Sequence, residues 1–82
     1  MMREPIDPTI GERVLTARRR QGLSQEALAT QTTMSRAVIA RLERGKQTVS
    51  AERLRTLARA LGCSADYLLG LRGEAAEGED AA

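Results

Sequence analysis

Apolar residues fall in clusters spaced three or four positions apart, and no stretch alternates apolar with polar residues as a half-buried strand would. Val14 and Ala17, then Val38, Ile39 and Leu42, then Leu54, Leu57, Ala58 and Leu61 each mark one side of a helix. The punctuation between clusters is regular. Asp7-Pro8 offers a cap followed by proline at the first helical position, opening a helix over 8–21 that Gly22 stops. Ser24 caps a second helix over 25–31, and Thr32-Thr33-Met34 is a tight connection. Ser35 caps a third over 36–44 closed by Gly45, Ser50 a fourth over 51–61 closed by Gly62, and Ser64 a fifth over 65–69 closed by Gly70. The pattern predicts an all-α fold, a compact five-helix bundle. Its expected core is Ile10, Val14, Ala17, Leu23, Leu28, Ala29, Met34, Val38, Ile39, Leu42, Val49, Leu54, Leu57, Ala58, Leu61 and Leu68.

Composition agrees with this reading. Hydrophobic residues make 41% of the chain and charged ones 29%, a folding rather than a disordered mix. Eighty-two residues suit one domain, here 8–72. It is flanked by an arm at 1–7 and, after Gly73, by an acidic Ala/Glu/Gly-rich tail at 73–82 that lacks apolar periodicity and reads as disordered. The single cysteine, Cys63, excludes an internal disulfide and fits a reducing cytoplasm. No apolar run approaches the ~20 residues that span a membrane, and the opening segment lacks the apolar stretch of a signal peptide.

Charge changes the picture more. Residues 1–72 hold 13 Lys/Arg against 7 Asp/Glu, a net +6, whereas 73–82 carry −4, so the overall +2 conceals a basic body. A basic compact body favours a polyanionic partner, most simply nucleic acid. The helix starts sharpen this. Ser24, Ser50 and Ser64 are each followed two places on by an acid, Glu26, Glu52 and Asp66, which complements the positive helix end. After Ser35 stand Arg36 and Ala37. Of the four serine-capped helices, the third alone leaves its positive end to an external anion, although chance among four helices gives the same pattern.

On a wheel of the third helix with Arg36 at the origin, Val38, Leu42 and Ile39 lie at about 200°, 240° and 300° and face the core. Arg36, Ala40, Arg44, Ala37 and Arg41 span the opposite arc, from 0° to about 140°. Arginines alternating with alanines let a backbone come close to a grooved surface while guanidinium groups reach into it. Taken alone, the same face also reads as a basic solvated surface.

The segment LSQEALATQTTMSRAVIARLERGK, residues 23–46, resembles the helix-turn-helix of phage-repressor, Cro and Xre-type transcriptional regulators. The likeness extends through IGERVLTARRRQG before it and SAERLRTLARALGCSADYLLG after it, covering about 8–70 without a gap. It implies a lambda-repressor-like five-helix domain that binds double-stranded operator DNA, usually as a two-fold dimer. The second helix would lie across the backbone and the third would enter the major groove. It also implies roles for residues at matching positions. Arg36, Ala37 and Arg41 would read base edges. Gln25, Ser35, Arg44, Lys46 and Gln47 would follow the DNA backbone. Arg18 and Glu43 would form a partly buried ion pair between the first and third helices, against the plainer reading of Glu43 as a solvated carboxylate. Tyr67, Leu69 and Leu71 cluster where such proteins often dimerise, or else complete the core. The chain departs from the family at Thr32-Thr33, where an apolar residue and a glycine are common. A β-branched Thr33 makes a left-handed turn costly, so a differently shaped or helically extended turn is expected.

Other chemistry finds little support. With no histidine, no metal cluster and no Gly-rich phosphate loop, neither an enzyme nor a cofactor is expected. No small-molecule ligand is expected either, since a chain of this length leaves no room for a separate sensing domain. Cys63 reads as a small apolar residue between the last two helices, and redox sensing is the alternative. Arg19 and Arg20 suit phosphate contact or plain solvation, and Arg3 sits on the arm. Two functions compete. One is a sequence-specific transcriptional regulator, most simply a repressor, nucleoid-associated in a bacterial or phage-type cytoplasm. The other is an antitoxin or partner-binding module of the same fold that binds another protein and touches DNA secondarily.

Overall fold

The computed structural model describes residues 8–71. The arm at 1–7, with Arg3, and the acidic segment at 73–82 lie outside the described residues. Five helices follow one another: α1 (Pro8–Arg20), α2 (Gln25–Thr32), α3 (Arg36–Glu43), α4 (Ala51–Leu61) and α5 (Ala65–Leu68). Among the described residues there is no strand. The helices α1, α3 and α5 end one residue earlier than the pattern predicts, and α2 ends one later.

Each serine at a helix start does the work its position predicts. Ser24, Ser35, Ser50 and Ser64 hold extended backbones, and their hydroxyls accept from the N–H three residues on, at 3.0–3.1 Å. Each such cap is worth about 1 kcal/mol over alanine.

The helix ends share one motif. A left-handed residue follows the helix or its final turn, and the next residue's N–H bonds to the carbonyl five places back. Gly22, Gly45, Gly62 and Gly70 take this position in four cases. In the fifth it is Thr33, at φ 53° and ψ 34°. This corrects the expected reshaping of the turn: the chain keeps the ordinary left-handed stop and places a β-branched residue in it. The left-handed region disfavours such a residue by roughly 1–2 kcal/mol. The surroundings hold it there. The Met34 N–H bonds to Ala29 O at 3.0 Å, the Thr33 hydroxyl donates to Thr32 O, and the Met34 side chain is buried. The Thr32 hydroxyl, also buried, donates to Leu28 O at 2.8 Å and so needs no outside partner.

The core forms where the five apolar faces meet. Val14, Leu28, Ile39, Leu42, Leu57, Leu61 and Leu68 are almost wholly excluded from water. Ile10, Leu23, Val38 and Val49 pack half-buried against them. Tyr67 joins this core, 5% exposed, with the Arg13 guanidinium 4.8 Å from its ring centre. Its place with Leu69 and Leu71 on a contact surface is therefore corrected. The ring fills space between helices, while Leu69 and Leu71 remain exposed at 39% and 72%.

A residue the sequence reading passed over sets how closely α1 meets α3. Gly11 is buried inside α1, and a methyl group there would stand 1.9 Å from the carbonyl oxygen of Leu42. Glycine in a helix interior is unfavourable by roughly 0.5–1 kcal/mol against alanine. Its presence here is explained by the backbone of α3 lying against it. The only sequence signal was a glycine where no cap or turn was needed.

Candidate nucleic-acid interface

The helix α3 packs chiefly on α1 and α2, so one long side of it stays free. Ile39 and Leu42 turn inward and are buried, with Val38 half-buried beside them. Arg36, Ala37 and Arg41 are exposed, as is Arg44 one turn beyond Ala40. Ala40 itself is half-covered. The Ser35 hydroxyl is committed to the Val38 N–H at 3.0 Å. The first-turn N–H groups ahead of it have no intrahelical acceptor. No acid lies in that first turn.

The inner edge of α3 is tied down by a network of charged and polar groups. Arg18 Nε donates to Glu43 Oε2 at 2.6 Å, and Nη2 donates to Glu43 Oε1 at 2.9 Å, a two-pronged pair. The side chains are 11% and 4% exposed, so the pair is largely out of water. Arg18 Nη1 donates to Leu23 O at 2.9 Å, which fastens the loop between α1 and α2. The hydrogen bonds to Glu43 raise the Arg18 guanidinium further above its ordinary value, against the opposing effect of burial.

Gln25, at the start of α2, enters the same network. Its Nε2 donates to Glu43 Oε1 at 3.0 Å. Nothing in the sequence pattern pointed to this bond, which spans 18 positions. One amide hydrogen is thereby fixed toward Glu43, and the geometry of the planar amide turns the second away from it.

Beyond α3 the chain doubles back. The Lys46 N–H bonds to Arg41 O at 2.9 Å through the left-handed Gly45, and this brings Gln47 alongside Arg41. Gln47 Oε1 accepts from Arg41 Nε at 3.1 Å and from Nη2 at 3.0 Å. Gln47 Nε2 donates to Thr48 O at 3.2 Å. Arg36, Arg44 and Lys46 stand exposed with no ion-pair partner among the described residues. Arg19 and Arg20 are exposed at the end of α1.

Two packed helices joined by a short left-handed turn, the second presenting an arginine-rich outer face, define the helix-turn-helix class of DNA-binding domain. The helix-turn-helix family model matches residues 14–68, and the chain belongs to that family. Solved structures agree. The chain is 35% identical to the restriction-modification controller protein C.AhdI from Aeromonas hydrophila, over 73% of this chain and 91% of that one, with a TM-score of 0.70. It is 36% identical to the P22 c2 repressor, solved in complex with a synthetic operator, over 72% of this chain and 89% of that one, with a TM-score of 0.69. It is 31% identical to the clp gene regulator ClgR from Corynebacterium glutamicum, over 76% of this chain and 66% of that one, with a TM-score of 0.73. A comparison with curated proteins yields no match. The chain is accordingly a DNA-binding regulator of the phage-repressor and Xre type and not an enzyme. Among the described residues no helix is long and apolar enough to cross a membrane.

Proposed function

We propose that this protein is a sequence-specific repressor that binds a pseudo-palindromic operator as a homodimer, with α3 in the major groove. One observation carries the reading: the outer face of α3 holds Arg36, Ala37 and Arg41 exposed and free of core duties, while Arg18, Glu43 and Gln25 lock its inner edge. A helix fixed behind and cationic in front is suited to read an anionic groove. Arg36 and Arg41 read guanine through O6 and N7, at roughly 1–3 kcal/mol of discrimination for each good pair. Ala37, without bulk, lets the backbone approach the base edges. Arg44, Lys46 and the start of α3 at Ser35 add sequence-independent attraction to phosphates, as does the second amide hydrogen of Gln25. We assign DNA binding to residues 8–72. Two copies joined through exposed Leu69 and Leu71 would set their α3 helices about 34 Å apart, one turn of DNA.

The test is selection of purified protein against randomised duplex DNA at near-physiological salt, followed by sequencing. Enrichment of a two-fold site containing guanines, lost in Arg36→Ala and Arg41→Ala but only weakened in Lys46→Ala, is the expected result. Weak, steeply salt-dependent binding without enrichment would sink the reading.

A further inference from the structure

We infer that Gln47 is the positioning residue of Arg41, fixing which edge of its guanidinium can meet a base. The inference rests on the DNA-binding reading above. A guanidinium has five N–H donors and two edges able to grip a pair of acceptors, a side edge of Nε with one Nη and an end edge of both Nη. Gln47 Oε1 occupies the side edge, at 3.1 Å from Nε and 3.0 Å from Nη2. The end edge stays open, and its paired N–H groups match the neighbouring O6 and N7 acceptors of guanine. Arg41 thus meets a base end-on.

The amide is itself oriented. Its Nε2 donates to Thr48 O at 3.2 Å, which turns Oε1 and not the NH2 group toward the arginine. A flipped amide would set donor against donor. The backbone supports the arrangement, because the Lys46 N–H that starts the loop carrying Gln47 is bonded to Arg41 O at 2.9 Å. A neutral amide oxygen holds the guanidinium without cancelling its charge, as a carboxylate would. With Oε1 used on Arg41 and one amide hydrogen on Thr48, Gln47 keeps a single N–H for any phosphate. Its part is therefore in the aim of Arg41 more than in backbone grip. Arg36 has no such brace among the described residues.

The experiment uses the full chain and the operator that selection returns. The relevant base pair is the one whose preference Arg41→Ala relaxes. There, Gln47→Ala is expected to lower the guanine-over-adenine preference by about tenfold, within what a good arginine–guanine pair supplies. Binding to an unrelated duplex should weaken by much less than that, since only one neutral N–H is lost to the phosphates and no charge. Gln47→Glu keeps the acceptor, so it should keep the preference while weakening binding to every duplex through its charge. In the DNA-free protein, the Arg41 Nε–H should exchange with solvent faster in Gln47→Ala than in the wild type, read by nitrogen-15 NMR. If Gln47→Ala weakens all duplexes alike and leaves the preference intact, Gln47 is a backbone contact and the inference is overturned. If Arg41→Ala relaxes no position, base reading by Arg41 has failed and the inference falls with it. If Arg41→Ala relaxes one position and Gln47→Ala none, the inference fails alone.

Discussion

Arg18 grips Glu43 with two hydrogen bonds of 2.6 and 2.9 Å, and by that grip α1 holds the end of α3. Two desolvated charges stabilise little against well-packed apolar residues, but one left alone is strongly destabilising. Glu43→Ala should therefore cost about 3 kcal/mol in urea denaturation, because it leaves the Arg18 charge largely out of water without its carboxylate. The double variant Arg18→Met/Glu43→Leu should recover most of that loss. A Glu43→Ala protein as stable as the wild type would mean that water reaches the pair freely.

Gly11 reverses an ordinary rule. Glycine to alanine inside a helix normally stabilises by roughly 0.8–1 kcal/mol. At Gly11 the added methyl would meet Leu42 O at 1.9 Å, so the helices must separate. Gly11→Ala should destabilise by about 1–3 kcal/mol, as overpacking does. Thermal melting reads the sign directly, and a stabilised variant would show that α1 and α3 are not packed this closely.

Thr33 runs the other way. It is the one non-glycine residue with positive φ among the described residues, at 53°. Thr33→Gly removes that strain and loses only a local hydroxyl bond to Thr32 O. We expect a gain of about 1 kcal/mol in stability, slightly reduced by the greater freedom of glycine in the unfolded chain. DNA affinity should be unchanged. Loss of stability would mean that the hydroxyl matters more than the backbone strain.

Cys63 lies half-buried, and burial pushes its thiol above the ordinary range. The fold thus favours the neutral thiol over the thiolate. The sign follows: a value raised in the folded state contributes stability at neutral pH that is lost as pH climbs through the folded value. Iodoacetamide at pH 8 should label the folded protein several-fold more slowly than the urea-unfolded one. Between pH 8 and 10 the wild type should lose more stability than Cys63→Ala. Equal labelling rates would place the thiol in water.

The serine caps, the glycine stops and the apolar clusters are local signals, and they placed all five helices to within one residue. The outer face of α3 was legible for the same reason, since a wheel needs only one helix. What stayed hidden depends on distance between elements. Gly11 shows its purpose only against Leu42, and Gln25 only against Glu43, 18 positions away. Gln47 sits six positions past Arg41 across a turn, where helix spacing rules do not reach. Tyr67 stands beside Leu69 and Leu71 in the sequence, which left it between a contact surface and the core; only packing decides for the core, with Arg13, 54 positions earlier, over its ring. Thr33 was misjudged because an intrinsic preference was weighed without the bonds that override it.

The division of labour across α3 bears on how such a protein changes over generations. Ile39 and Leu42 serve the core, and Glu43 serves the brace to α1; Arg36 and Ala37 hold nothing up. Under the proposed docking, the letters that choose the operator are those the fold can spare. On that docking, a lineage could rewrite its target by substitutions at these two sites without touching the core or the brace, whereas a substitution at Arg41 would also break its bonds to Gln47.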